Sequence, residues 1–249
     1  MKQNKKQGAD YIKLMQENGF SVAFPEVVAA SFELQKAVTS AAHRHGLLAV
    51  AHATNMAETM LVLRAGVDGL MHTFADQYPS SRLVQLYQET GAFVVPTLIT
   101  LASLTGEERL ASAMFASGDD ETKAVMCDAM DHKGPGVNIE NAYASVRELK
   151  AAGIDIVAGT DAVPGVKGTA IGPSLLEELY LYVKRCGFTP AEALRSATSV
   201  AARRFRLEDR GRIEAGRRAD LLLIRGDPTH DIEDLRHVEG VWKAGVRCI

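Results

Sequence analysis

Short apolar runs alternate along most of the chain with longer stretches in which apolar residues recur at helical spacing. Each run has the length and content of a buried strand, and each longer stretch has those of an amphipathic helix. Strands separated by helices must pair in parallel, because only a crossover of about a dozen residues or more returns the chain to the same end of a sheet. The predicted strands are residues 11–15, 47–53, 69–74, 92–98 and 154–161.

Capping residues mark where the intervening helices begin. Ser31, Asn55 and Ser80 or Ser81 each precede a stretch with helical periodicity, and each of these stretches ends at a glycine. The sequence TPAE, starting at Thr189, combines a capping box with proline at the first helical position. The predicted helices are residues 31–45, 55–65, 80–90, 138–152, 173–186 and 189–205.

Two parts of the chain depart from this repeat. Residues 100–136 are interrupted by GDD and GPG, so we interpret them as an excursion. From Gly211 the pattern changes to short β segments, GRIEAG, ADLLLIRG and VEGVWKAG, separated by turns. We therefore predict an α/β domain over residues 1–210 and a small C-terminal β segment over residues 211–249.

Composition excludes several classes of partner. The 249 residues are 47% hydrophobic and 24% charged, as in ordinary globular proteins, and the formal charge is only −3. Because the basic residues are scattered, we expect no nucleic-acid partner. No apolar run approaches the roughly 20 residues that span a bilayer, so we expect no membrane association. Three scattered cysteines predict neither a disulfide framework nor a cysteine zinc site, which favours a reducing cytoplasm.

Four ionisable residues stand at or near the ends of otherwise apolar predicted strands. They are Lys13, His52, His72 and Asp161. In parallel sheets chemistry collects at the carboxyl ends of the strands, and buried charges need a partner or a metal. Each residue also has a structural interpretation. Either histidine could be a hydrogen-bonded core residue, Lys13 could protect a sheet edge from aggregation, and Asp161 could cap a turn.

The ordered motifs of the chain resemble those of the amidohydrolase superfamily, in its prolidase-like and imidazolonepropionase-like branch. They are GADYIKLM, VAHATN, GVDGLMHTF, VVPTL, VAGTDA, FTPAEALRSATSVAARRF and GRIEAGRRADLLLIRGDP. The resemblance implies an α/β (β/α)8 TIM-type barrel followed by a β segment that belongs to a composite β-sandwich. It also implies that Lys13 is carboxylated and bridges two metal ions. By the same resemblance, His52 and His72 bind the second ion, and Asp161 binds the first and shuttles the proton.

One departure from the family pattern concerns its first strand, which carries a His-x-His pair. His43 and His45 have that spacing but lie at the end of a predicted helix. Only about five βα units are present where a closed barrel needs eight. We therefore expect an N-terminally truncated, partial barrel that holds one divalent ion well, most simply Zn²⁺, since three protein ligands and a water complete a catalytic zinc shell.

The leading functional hypothesis is hydrolysis of an amide, peptide-like or cyclic amide bond of a small molecule by a metal-bound hydroxide, with Asp161 as the catalytic proton acceptor. The alternative is a catalytically impaired remnant, or a subunit that needs a partner to complete its barrel. A third possibility is a protein that binds a small molecule without chemistry. Because truncation leaves strand edges unpaired, we also expect a homo-oligomer or a complementing chain.

Overall fold

Four parallel strands in chain order form the central sheet of the protein. The computed structural model describes residues 1–19, 27–107, 115, 120–132, 134 and 136–249. The sheet has the order β1-β2-β3-β4, so β1 lies at its edge. Residue for residue, β1 matches the strand predicted from the sequence. The strands are β1 (Tyr11–Met15), β2 (Leu48–His52), β3 (Gly69–Met71) and β4 (Phe93–Val95).

Helices connect these strands and continue after them. The predicted caps at Ser31, Asn55 and Ser80 are confirmed, since each side chain accepts a backbone N–H three residues later. The Thr189–Glu192 capping box is confirmed with both of its hydrogen bonds. The helices are α1 (Lys2–Lys6), α2 (Phe32–Arg44), α3 (Met56–Arg64), α4 (Ser81–Thr90), α5 (Leu98–Leu104), α6 (Asp120–Cys127), α7 (Ile139–Ala151), α8 (Pro173–Cys186), α9 (Pro190–Ala197) and α10 (Ser199–Arg204).

The strand register decides which side chains share the inner face of the sheet. Lys13 pairs with Val50, and Met15 pairs with His52. Because successive side chains point to opposite faces of a strand, these four residues lie on one face. Val50 packs in a small cluster with Phe93, Val95 and Val157, which lies apart from the main core. The side chains of Lys13 and His52 therefore emerge on the same side of the sheet.

The main core lies between the other face of the sheet and the helices. Leu14, Ala49, Ala51 and Leu70 of the strands pack there with buried residues of α3, α4, α7 and α8. At about 25 cal/mol per Å² of buried apolar surface, this layer is the main source of stability. It holds the strand ends in fixed positions, and these ends carry the candidate site.

The predicted fifth strand over residues 154–161 is wrong as a strand. Only an isolated parallel bridge joins Ile156 to Val94, although Val157 also donates a hydrogen bond to the Val94 carbonyl. On the other side Ala158 donates to the carbonyl of Ser196, at the end of α9, instead of to another strand. The segment runs alongside β4 without full pairing, and it still delivers Asp161 to the end of the sheet.

Further sequence predictions need correction, and one is only partly testable. The strands predicted over residues 69–74 and 92–98 are shorter, because β3 ends at Met71 and β4 at Val95. The helix predicted over residues 189–205 breaks at Thr198, whose backbone leaves the helical region between α9 and α10. GRIEAG forms no strand. The excursion over residues 100–136 contains most of α5 and all of α6, and several of its residues lie outside the described chain.

A second, antiparallel sheet follows in the tail. Its strands are β5 (Leu221–Ile224), β6 (Val238–Lys243) and β7 (Val246–Arg247), in that order. The first two were expected as β segments, whereas β7 was not. The domain boundary at residue 210 stays a prediction. In the described part of the chain, no helix combines the length and apolar content needed to cross a bilayer.

Candidate metal and active site

A cavity of about 820 Å³ opens at the carboxyl end of the sheet. Three of the four predicted site residues, His52, His72 and Asp161, line it. The rings of His52 and His72 lie 4.6 Å apart between centroids and meet edge to face. The remaining lining is mostly apolar and comes from β1, the residues just before α2, the first turn of α2, and α5. It comprises Met15, Val27, Val28, Ala29, Ala30, Leu34, Leu101 and Leu104, with polar contributions from Glu17, Ser31, Thr54 and Thr100.

His72 is buried and held in one tautomer by its partners. Its Nδ1 lies 2.7 Å from Thr97 Oγ1, and that hydroxyl donates its own hydrogen to the Pro96 carbonyl at 2.8 Å. Thr97 must therefore accept a hydrogen from Nδ1, which leaves a lone pair on Nε2. Burial, followed by the nearby charges of His52 and Lys13, lowers the pKa of His72 to about 3. The imidazole is neutral at pH 7, the form that ligates metals.

Asp161 faces that lone pair. Its Oδ2 lies 3.8 Å from His72 Nε2, and its side chain is half exposed. A carboxylate oxygen can only accept hydrogen bonds, and His72 Nε2 carries a lone pair, so two acceptors point at one another. A cation between them satisfies both, and this is the observation by which the donor set fits a divalent metal ion.

Backbone strain is concentrated at this site. Within the described chain six residues other than glycine have positive φ, and His72 (81°), Thr97 (53°) and Asp161 (54°) are three of them. Such conformations cost about 1–3 kcal/mol each and persist where the surrounding structure enforces them. Thr97 is the most unusual, because a β-branched residue is disfavoured there. This backbone conformation fixes the direction in which the Cα–Cβ bonds of His72 and Asp161 leave the chain.

Lys13 lies on the same sheet face as His52 but is exposed and does not line the cavity. Its charge nevertheless contributes to the lowered pKa of His72, so the two groups are electrostatically coupled. As an edge-strand residue it also matches the alternative role of discouraging strand addition. The position of Lys13 is thus compatible with both interpretations.

Glu17 belongs to the site and was missed in the sequence. Its Oε2 lies 3.3 Å from His52 Nε2 and accepts a short hydrogen bond from the Thr54 hydroxyl, while Oε1 accepts the Gly19 N–H at 2.7 Å. Burial raises the pKa of Glu17, but the hydrogen bonds from His52, Thr54 and Gly19 outweigh this and lower it overall. The available signal was a polar pair, Gln16-Glu17, directly after an apolar strand.

The five histidines other than His52 and His72 do not line the cavity. His43 is at the end of α2, where its Nε2 contacts Asp68 at 2.8 Å, and His45 follows that helix. The other histidines, His132, His230 and His237, do not line the cavity either. Among the described residues, no three His, Cys, Asp or Glu side chains are already arranged to hold a metal ion. A bound ion would therefore need at least one side chain to rotate, and half-exposed Asp161 is free to do so.

A buried carboxylate supports the Thr97 segment from behind. Glu178 of α8 is completely buried, and its two oxygens accept the Leu98 and Ile99 N–H groups at 2.9 and 2.8 Å. These donors are the unpaired first groups of α5, immediately after Thr97. Glu178 thus fixes the start of the helix whose cap residue orients His72.

The burial of Glu178 predicts a pH-dependent stability. Burial raises its pKa from 4.5 to about 7, although the two backbone hydrogen bonds act in the opposite direction. The folded state therefore binds this proton more tightly than the unfolded state. Its stabilising effect is complete below about pH 4.5 and is lost as pH rises to about 7, a change of about 3 kcal/mol.

The comparison that isolates this contribution is urea unfolding of the protein and of Glu178→Gln between pH 4.5 and 8. We expect the free energy of unfolding of the unchanged protein to fall relative to that of the variant over this range. The surface variant Glu89→Gln serves as the control for loss of a carboxylate. Parallel curves for the protein and Glu178→Gln would contradict the assignment.

Comparison with known proteins identifies the family of the chain. A sequence profile described as the amidohydrolase family matches residues 1–248. Imidazolonepropionase of Deinococcus deserti is 30% identical over 229 residues, which cover 90% of this chain and 47% of that protein. Ochratoxinase of Aspergillus niger is 28% identical over 253 residues, covering 96% of this chain and 46% of that enzyme. The chain thus spans about half the length of these curated relatives.

Solved structures give the same picture. A Xaa-Pro dipeptidase with methionine bound in its active site superimposes with a TM-score of 0.71 and 27% identity, over 99% of this chain and 56% of that one. The structure of Aspergillus niger ochratoxinase superimposes with a TM-score of 0.72 and 25% identity, over 98% of this chain and 52% of that one. The fold is therefore a partial amidohydrolase barrel with a small C-terminal sheet. From the profile match over nearly all its length, we conclude that the chain belongs to the amidohydrolase family.

Proposed function

We propose that this protein is a metal-dependent hydrolase that cleaves the C–N bond of a small amide, dipeptide-like or cyclic amide substrate. The observation that carries the proposal is the His72 Nε2 lone pair that faces the Asp161 carboxylate across 3.8 Å in a cavity at the strand ends. The names of three relatives, imidazolonepropionase, ochratoxinase and Xaa-Pro dipeptidase, support cleavage of a C–N bond as the proposed reaction.

The ligands in this proposal are His52, His72 and Asp161, with Lys13 as a carbamate. Neutral imidazole and carboxylate donors suit Zn²⁺, which we propose as the ion. When bound, such an ion lowers the pKa of water and polarises a carbonyl group. One ion has enough ligands here, and a second ion would depend on Lys13 carboxylation.

Asp161 is the catalytic residue on this proposal. Its carboxylate accepts a proton from the attacking water as the water oxygen bonds to the carbonyl carbon of the substrate. It then returns the proton to the departing nitrogen as the C–N bond breaks, giving an acid and an amine. The half-exposed position of its side chain, on a backbone fixed at φ 54°, suits a group that must reach both atoms.

The cavity lining favours an apolar group beside the scissile amide. Met15, Leu34, Leu101 and Leu104 are the largest of the eight apolar residues that line the cavity beside its polar groups. Apolar walls with a few converging polar groups are typical of small-molecule sites. We propose substrates such as N-acyl amino acids or dipeptides with large apolar side chains. No nucleic-acid or membrane partner is part of this proposal, and the free cysteines favour a reducing cytoplasm.

A hydrolysis screen tests the proposed function. Purified protein would be assayed against N-acyl amino acids and dipeptides, after chelator treatment and again after one equivalent of zinc. We expect turnover that zinc restores and that is faster for apolar than for charged side chains. Absence of turnover on every substrate with zinc fully bound would contradict the proposal.

A second candidate is a barrel part that becomes active only with a complementing chain. Two observations on the described residues favour it. No strand pairs with the outer side of β1, and no three side chains form a ready-made metal site. On this alternative, zinc binds weakly to the isolated chain and tightly after a partner is added.

Lys13 gives a separate prediction. If Lys13 acts as a carbamate, Lys13→Ala should lower zinc-supported activity, and added acetate or bicarbonate should restore part of it, since a free carboxylate replaces the lost ligand. Lys36→Ala, an exposed lysine of α2, should show neither effect. Loss of activity that no carboxylate restores would remove the carbamate from the proposal.

A further inference from the structure

Glu17 is the group around His52 that the proposed reaction does not use. Its side chain is about 10% exposed, although it stands beside an open cavity. It joins the end of β1 to the end of β2 through His52 Nε2 at 3.3 Å and through the Thr54 hydroxyl. A third donor, the Gly19 N–H, fixes the other carboxylate oxygen. Three donors, two at the end of β2 and one two residues after Glu17, thus hold this carboxylate in one orientation.

The contact with His52 has a defined direction. An ionised carboxylate can only accept hydrogen bonds, so His52 must donate from Nε2. A neutral imidazole that carries its hydrogen on Nε2 has its lone pair on Nδ1. His72 shows the complementary arrangement, since Thr97 occupies its Nδ1 and leaves Nε2 free. Each ring therefore keeps one nitrogen available, and the two rings lie 4.6 Å apart.

We propose that Glu17 is a positioning residue that selects the Nε2–H tautomer of His52 and aims its Nδ1 at the metal position. This inference rests on the proposed function and extends it to a residue outside the predicted ligand set. Groups that hydrogen-bond to a ligating histidine orient its ring and raise its basicity, and their loss commonly weakens metal binding 10–100-fold. We assign Glu17 to positioning and not to ligation, because hydrogen bonds from His52, Thr54 and Gly19 already take three of the roughly four acceptor sites of its carboxylate.

Two readouts test this role, and the first needs no metal. Long-range ¹H–¹⁵N NMR on metal-free protein reports which nitrogen of His52 carries the hydrogen. We expect the Nε2–H form in the unchanged protein and a mixture of tautomers in Glu17→Gln, whose amide can either accept or donate. The second readout is the zinc dissociation constant from competition with a chelating dye, which we expect to rise 10–100-fold in Glu17→Gln. Glu89→Gln is the control for both.

Thr54→Val adds a milder variant, which keeps the carboxylate but removes one donor that holds it. It should shift both readouts in the same direction and by less. An unchanged His52 tautomer in Glu17→Gln would overturn the inference, including the case in which zinc binding is lost, because that pattern identifies Glu17 as a ligand. If the tautomer depends on Glu17 while the unchanged protein binds no zinc, the positioning role stands and the proposed function fails.

Discussion

Replacing His72 is expected to weaken zinc binding by more than about 100-fold. Loss of a group that only hydrogen-bonds to a metal ligand costs about 10–100-fold, and loss of the ligand itself should cost more. His72 supplies the lone pair that faces Asp161, and its lowered pKa keeps that lone pair unprotonated from acid to neutral pH. His52→Ala should cause a similar loss, because the second nitrogen donor lies on the adjacent ring. Metal content after dialysis against one equivalent of zinc measures both effects.

The variant at His72 must keep the backbone conformation, since φ is 81° there. Asparagine tolerates this region better than alanine, so His72→Asn removes the imidazole with the least added strain. His132→Ala, at a histidine that does not line the cavity, should leave zinc content unchanged. Equal zinc content in all these variants would show that the ion binds elsewhere. Circular dichroism checks that each variant folds. If a histidine variant is misfolded, Asp161→Asn tests the same metal position, because it removes a charge from a half-exposed side chain.

The isolated chain is expected to associate or aggregate. The edge strand β1 exposes Tyr11 by 43% and Met15 by 62%, and no strand of the described residues pairs with its outer side. Leu222 in the tail sheet is 49% exposed, and its neighbours Leu221 and Leu223 are similarly open. Unpaired edges and apolar patches of this kind promote pairing with another chain. Light scattering should therefore give a mass above 26.9 kDa.

Two variants distinguish the surfaces that associate. Met15→Glu places a charge at the sheet edge and should reduce association if β1 pairs with another chain. Leu222→Glu should do so if the tail sheet is the interface. A monodisperse, cooperatively melting monomer would contradict the expectation and would mean that the exposed edge is stable in water. A complementing chain that restores zinc binding would support the second candidate function.

Much of the scaffold could be predicted because its signals are local. The caps at Ser31, Asn55 and Thr189 are set by hydrogen bonds within one helical turn, and β1 was predicted with its observed bounds. The 154–161 segment could not be assigned in this way. Its apolar content is that of a strand, but whether it pairs fully depends on what lies beyond it.

Candidate residues could be picked out where a residue type stands at a strand end, and not where its role depends on a partner distant in sequence. His52, His72 and Asp161 were selected by their place after apolar runs, and all three line one cavity. Their roles as ligands and catalyst stay predictions. Glu17 acts through a contact 35 residues away along the chain. Glu178 lies 80 residues from the amide that it caps, so helical periodicity predicts only that it faces inward.

The most direct test of the central claim is the position of a bound ion. Crystals grown with zinc and measured at the zinc absorption edge give an anomalous difference map. This map locates the zinc ion directly and does not depend on any assay of activity. We predict one strong peak within ligand distance, about 2.0–2.2 Å, of His52 Nδ1, His72 Nε2 and an Asp161 oxygen. A peak only at other residues, or none at these histidines in zinc-saturated crystals, would contradict the account.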